Sequence, residues 1–285
     1  MQILSIQSWV AYGHAGNSSA TFTLQRLGHE VWSVPTVNFS NHTGYGAWRG
    51  PVIDTTDVAE VIRGIEDRGV FGECDAVLSG YQGAEAVGGV ILDAVRRVKA
   101  ANPAAIYCCD PVMGDVGRGF FVREGIPEFL RDTVVRAADI VTPNLFELEF
   151  LTGHPPGSLH TEAQVLAAAR SLRAHGPSTV LVTSVITDDT PPDTIGMLAV
   201  DEQDAWLVHT PLLPLTVNGA GDATAAMFCA HTLTDGPHTA LERTAASIHG
   251  VLEATVQAGR REIALIPAQD ELVAPRLRVD AHRLG

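Results

Sequence analysis

Short apolar runs alternate with amphipathic stretches along most of this 285-residue chain, and that alternation restricts its fold more than any other feature. Residues 3–7, 31–34, 76–80, 105–109, 139–142 and 179–183 read as strands apolar throughout, as strands covered on both faces should be. Between them lie helical stretches. Residues 18–27 end at Gly28, residues 56–68 are amphipathic, and residues 85–100 carry apolar positions at 87, 90, 91, 94, 95 and 98. Further helices are expected after Pro143-Asn144 as far as Leu151, and over 161–174, 221–232 and 239–257. Residues 194–200 and 205–209 read as an antiparallel pair joined by Asp201-Glu202-Gln203-Asp204. The pattern predicts an α/β fold with a mostly parallel central sheet and helices on both faces, built as one unit over residues 1–285. Ligands of such sheets bind beyond the carboxyl ends of the strands. Here those ends carry Gln7-Ser8, Ser79-Gly80, Asp110, Thr142 and Thr183.

Charge and composition narrow the function. The chain has 19 Lys and Arg against 33 Asp and Glu, a formal net charge of -14, and no basic run, which argues against a nucleic-acid-binding face. A nucleotide substrate stays open, because backbone amides and metal ions can hold phosphates without bulk positive charge. No apolar run is long enough to span a membrane, and Met1-Gln2-Ile3-Leu4 leads straight into a strand, so a cytoplasmic protein is expected. Cys74, Cys108, Cys109 and Cys229 lack metal-ligand spacing and read as reduced packing residues.

The run Asn218-Gly219-Ala220-Gly221-Asp222 precedes a stretch of small residues. Its glycines permit a tight turn, and a helix starting there points unpaired N–H groups and its positive end into that turn. Such a turn suits phosphate, though glycine-rich turns also open helices with no ligand. Asp222 beside an anion site is repelled by the ligand, which makes it a candidate base for an attacking hydroxyl. The same Asp equally suits a helix first turn.

Two more strand ends carry acids. In Asp110-Pro111-Val112-Met113-Gly114-Asp115, proline stops the strand at a carboxylate, and both acids are candidate cation ligands; a solvated turn explains Asp115 equally well. Thr142-Pro143-Asn144-Leu145-Phe146-Glu147 places Asn144 and Glu147 either as Mg²⁺ ligands through water or as a capping box. Residues 36–51, rich in Asn, Thr, Gly and aromatics, read as an extended flap able to exclude water, or as a surface loop. His14 lies in a glycine-rich turn and serves as well as a backbone spacer.

Together these segments resemble the ribokinase-like superfamily, whose anion-hole motif is matched by Gly219-Ala220-Gly221-Asp222, and within it the pyridoxal kinases. Ile6-Gln7-Ser8, Gly13-His14-Ala15-Gly16-Asn17, Phe39-Ser40-Asn41-His42-Thr43, Leu78-Ser79-Gly80-Tyr81, Cys109-Asp110-Pro111-Val112-Met113-Gly114 and Thr142-Pro143-Asn144 carry the resemblance in order over most of the chain. The resemblance implies a three-layer sandwich with a small flap. It also implies ATP-dependent phosphorylation of the 5'-hydroxymethyl group of pyridoxal, with pyridoxine and pyridoxamine alongside. It makes Asp222 the base and Gly219, Ala220 and Gly221 the anion hole. Ser8, Thr43, Gly44 and Tyr81 fall on the substrate side. Asp110, Thr142, Glu147 and Thr183 fall on the nucleotide-phosphate side, and Thr210, Pro211, Leu212 and Leu213 where the adenine lies. Asp110, Asp115, Thr142, Asn144 and Glu147 are the implied surroundings of Mg²⁺, and a homodimer is implied.

Three positions depart from relatives. Thr183 stands where one bacterial branch has Lys; with Ser184, Thr142 and Asp115 it resembles the branch that uses K⁺ or Na⁺ beside Mg²⁺. Gly44 stands where some relatives have Gln, and Asn218 replaces Thr or Val. The rival readings are a hydroxymethylpyrimidine kinase and a non-catalytic vitamer-binding protein.

Overall fold

A computed structural model describes residues 1–285. In chain order its elements are β1 (Gln2–Val10), α1 (Asn17–Arg26), β2 (Glu30–Phe39), α2 (Thr55–Glu66), β3 (Ala76–Ser79), α3 (Glu85–Ala101) and β4 (Ile106–Cys109). A hairpin of β5 (Gly114–Asp115) and β6 (Gly119–Phe120) follows, then α4 (Ile126–Phe129), α5 (Val135–Ala137), β7 (Ile140–Val141), α6 (Leu145–Leu151) and α7 (Glu162–Arg173). The chain ends with β8 (Thr179–Val185), β9 (Thr194–Val200), β10 (Ala205–Pro211), α8 (Ala220–Gln257), α9 (Gln269–Val273) and β11 (His282–Arg283).

Nine strands form one sheet in the order β11-β10-β9-β8-β7-β4-β3-β1-β2. From β2 to β8 every pairing is parallel; β9, β10 and β11 extend the sheet antiparallel. Alternate strand residues feed two cores, as a pleated strand requires. Leu4, Ile6, Val77, Tyr107, Cys109, Val180 and Val182 face the layer of α2, α3, α6 and α7. Ile3, Ala76, Leu78, Cys108 and Leu181 face α1 and α8. The expected three layers are therefore present, with every strand of the parallel part covered on both sides. All four cysteines are free and buried; the contact with Cys229 and then burial raise the Cys108 thiol, and burial raises that of Cys109, so these two pack as neutral side chains. No helix is long and apolar enough to cross a membrane.

Several boundaries differ from expectation. The second strand runs to Phe39 rather than Val34, so Thr36, Val37 and Phe39 are buried sheet residues and not flap. The strand continues through Pro35 because β2 is the edge strand of the sheet, where a residue lacking an N–H is tolerated. The flap is the shorter excursion from Ser40, which turns through a 3₁₀ segment at Thr43–Tyr45 and returns along β2. Ser40 N–H donates to the Arg49 carbonyl and Asn38 N–H to that of Pro51. The helices expected over 221–232 and 239–257 are both present, the two parts of α8, separated by a break at Gly236, whose φ of 79° and ψ of 165° precede Pro237. The β5–β6 hairpin and β11 have two-residue arms, too short to show a period. The helical segment from Ile126 was missed because Pro127 looks like a breaker, whereas it occupies the first turn, where its missing N–H costs nothing.

Candidate active site

Parallel pairing brings the carboxyl ends of β1, β3, β4, β7 and β8 to one edge of the sheet. There Ser8, Tyr81, Asp110, Thr142 and Thr183 line a single open cavity of about 1030 Å³. The opposite wall is the start of α8, which contributes Gly219, Gly221 and Asp222. The flap adds Thr43 and His42 to the lining, and the β5–β6 hairpin adds Asp115 and Arg118.

The head of α8 has the geometry an anion site needs. Gly219 sits just before the helix at φ 87°, and a Cβ placed on it would fall 1.6 Å from the His14 carbonyl oxygen, so no other residue fits there. The N–H groups of Gly219, Ala220 and Gly221 donate to no acceptor of the chain. Asp222 is in the first turn. Burial pushes its carboxyl above the ordinary value, while the N–H groups of Gly16 and of Asp222 itself draw it back.

Two further acids stand beside it. Asp110 is 7% exposed and accepts a 3.0 Å hydrogen bond from the Thr142 hydroxyl. Burial raises its carboxyl well above the usual range, and the charges of Glu147 and Asp222 add to the effect. Glu147, 4% exposed, is pushed up by burial to about 7, against the pull of the Asn144, Met113 and Gly114 amides. Asn144 and Glu147 do form the capping box that their spacing allows. Asn144 N–H donates to Glu147 Oε2, Glu147 N–H to Asn144 Oδ1, and the Asn144 amide to the Gly114 carbonyl, all at 2.8–2.9 Å. Met113 N–H donates to Glu147 Oε1 at 2.9 Å. The cap therefore anchors the β5–β6 hairpin to α6 and holds a carboxylate in the cavity wall. No group of three ligating side chains converges anywhere in the chain.

A second groove opens from the first, sharing Asp115, Thr183, Val217, Gly221 and Thr224 with it. Its walls are Thr210, Pro211, Leu212 and Leu213, with Ala220, Ile248 and Leu252 opposite. Ser184, at the mouth, has the left-handed φ of 56°, where the β8–β9 register shifts. Such backbone is uncommon for a residue with a side chain and collects at functional sites.

The structure thus gathers Ser8, Thr43, Tyr81, Asp110, Asp115, Thr142, Asn144, Glu147, Thr183, Gly219, Gly221 and Asp222 in one cavity, and places Ala220 and residues 210–213 in the adjoining one. Gly44 does not line either. It lies in the flap's 3₁₀ turn, where a Cβ would meet His42, Arg118 and Asn218 at 2.9–3.3 Å, so the two departures at 44 and 218 are neighbours. His42 and Asn218, which stand within the quoted motifs without an assigned role, also line the cavity, as does Arg118, which no motif includes. Arg118 is the single Lys or Arg on the cavity wall, on a hairpin with no sequence signature.

Comparison with known proteins agrees with this geometry. The phosphomethylpyrimidine kinase family matches residues 52–265. Pyridoxal kinase PdxY of Rubrobacter xylanophilus is 59% identical over 287 residues, covering 100% of this chain and 98% of the relative. Its counterpart in Leifsonia xyli is 56% identical over 286 residues, covering both chains fully. The pyridoxal kinase of Leishmania donovani, solved in complex with ADP and pyridoxamine, superposes with a TM-score of 0.93 at 26% identity, covering 100% of this chain and 99% of that one. With the α/β architecture shared end to end, and more than half of its residues identical to those of two such enzymes, the chain belongs to the pyridoxal kinase family.

Proposed function

We propose that this chain transfers the γ-phosphoryl group of ATP to the 5'-hydroxymethyl oxygen of pyridoxal, forming pyridoxal 5'-phosphate in vitamin B6 salvage. Pyridoxine and pyridoxamine belong to the same substrate set; the Leishmania donovani enzyme is solved with ADP and each of them. The observation that carries the reading is Asp222: a half-buried carboxylate in the cavity wall, beside three unpaired helix-head amides.

The vitamer fits the cavity under the flap, its ring substituents toward Ser8, Thr43 and Tyr81, with Gly44 behind. The adenine fits the groove of Thr210, Pro211, Leu212 and Leu213, and the phosphates run past Thr183, Thr142 and Asp110 to the head of α8. The hydroxymethyl oxygen attacks the γ-phosphorus, the bond from phosphorus to the ADP oxygen breaks, and the hydroxyl proton passes to Asp222. A carboxyl raised toward neutrality is a better proton acceptor than an ordinary Asp. The amides of Gly219, Ala220 and Gly221 stabilise the charge on the moving group, so catalysis is mainly positioning and electrostatics.

The donor set suits Mg²⁺. Asp110, Thr142, Asp115 and Glu147 offer hard oxygens, and burial holds the carboxyls of Asp110 and Glu147 above their ordinary range, so a cation beside them would favour their charged forms. Because three such ligands do not converge, these residues and Asn144 would hold Mg²⁺ with few direct protein contacts, as an ion that keeps its waters allows. When bound, Mg²⁺ neutralises phosphate charge. K⁺ or Na⁺ beside Thr183, Ser184 and Asp115, and a homodimeric cytoplasmic enzyme, complete the reading.

The test is ATP-dependent formation of pyridoxal phosphate, followed by its absorbance, with hydroxymethylpyrimidine assayed alongside. The name of the matching family favours that pyrimidine alcohol as a second reading. Product from pyridoxal is expected, with activity falling when K⁺ and Na⁺ are replaced by a bulky organic cation. Turnover of the pyrimidine alone contradicts the substrate assignment, and no turnover of either contradicts the kinase.

A further inference from the structure

Glu262 makes two contacts that the mechanism above leaves unused. Its Oε1 accepts a 2.5 Å hydrogen bond from the Tyr45 hydroxyl in the flap, and its Oε2 accepts one of 3.1 Å from the His14 amide. These partners lie 217 and 248 positions away. Gly13 makes room: its φ is 88°, and a Cβ on it would fall 1.9 Å from Glu262 Oε2. The Arg261 guanidinium covers the Tyr45 ring at 4.3 Å, and Tyr12 meets that ring edge-on at 6.3 Å. The bond to Glu262 holds the Tyr45 phenol at about 12.

From His14 the contacts run inward to the reacting groups. The His14 carbonyl packs against Gly219, and Gly16 lines the cavity with Asp222, its N–H favouring the charged form of that carboxyl. The backbone of Glu262 also bridges to Asn218, directly before Gly219. One carboxylate therefore joins the flap, the 13–16 loop that braces Asp222, and the turn that begins α8.

We propose that Glu262 is a positioning residue that latches the flap over the acceptor cavity and fixes the Asp222-bracing loop in the same act. Water is then shut out whenever base and anion hole are in register. The kinetic consequence rests on the kinase reading: a flap that opens too readily lets water compete with the alcohol for the phosphoryl group.

Tyr45→Phe, Glu262→Ala and the double variant test this in the full chain. Losing a charge-assisted hydrogen bond is expected to raise KM for pyridoxal about tenfold in each single variant. KM for ATP stays within about twofold, and more ATP is hydrolysed per pyridoxal phosphate formed. The double variant is expected to match Glu262→Ala, because both substitutions cut one link. Glu262→Gln, which keeps one acceptor oxygen, falls between wild type and Glu262→Ala. Amide hydrogen exchange over residues 40–49 is expected to quicken in every variant. Unchanged KM, coupling and exchange overturn the latch, as do additive effects or a loss explained by a lower Tm alone. If the wild-type chain phosphorylates no alcohol, the kinase reading falls, and the exchange rates alone decide the latch.

Discussion

The two ends of the parallel strands treat acidic side chains in opposite ways. At the amino ends, acids are fully engaged. Asp75, just before β3, accepts the Gln2 amide at 2.7 Å. Asp139, just before β7, accepts the Tyr107 amide and the Lys99 ammonium, each at 2.6 Å, and Lys99 is the only lysine in the sequence. At the carboxyl ends, the buried Asp110 and Glu147 and the half-buried Asp222 line one cavity without a salt-bridge partner, and all three carboxyls are raised. The same residue type knits neighbouring strands at one end and stores repulsion at the other. The difference points to function: repulsion of a kind that bound cations would relieve collects at the edge of the sheet where the cavity opens.

Asp110→Asn breaks the contrast most sharply. It keeps an acceptor for Thr142 and removes one charge, so turnover is expected to fall about 100-fold while thermal stability at pH 8 rises. Steady-state kinetics and a melting curve on one preparation check both. A variant that is both slower and less stable would show that the charge is structural. Asp139→Ala is the complementary change. Leaving the Tyr107 amide and Lys99 without their acceptor is expected to cost about 1–3 kcal/mol in urea unfolding, with kcat within about twofold of wild type. The smallest effect is in pH dependence. A carboxyl raised on folding makes the native state bind more protons than the unfolded one, so its contribution is full below the unfolded value and lost as pH rises through the folded value. Glu147 thus lowers Tm between pH 4.5 and about 7. Glu147→Gln is expected to flatten that slope, and a slope unchanged in the variant would assign it to other groups.

Features written locally were readable from sequence. The Gly219–Asp222 turn, the acids after prolines or before them at strand ends, and the alternation of the two cores all depend on neighbours a few positions away. Asn144 and Glu147 were readable in two ways, and the fold uses the cap while keeping Glu147 in the cavity wall. The flap boundary at residue 36 was misplaced because the edge position that tolerates Pro35 is a property of sheet order, not of local pattern. Arg118 and Glu262 carried no signal for a related reason. Arg118 acts from a hairpin with two-residue arms, and Glu262 meets partners more than 200 positions away. His14, read as a candidate spacer, does contribute through its backbone, giving its amide to Glu262 and its carbonyl to Gly219.

The most direct measurement is single-turnover phosphoryl transfer to pyridoxal by Asp222→Asn, with ATP and pyridoxal binding measured on the same protein. Loss of the base is expected to slow transfer by about 10²–10⁴-fold with both affinities near wild type. Transfer at close to the wild-type rate would place the base elsewhere and contradict the role assigned to the head of α8.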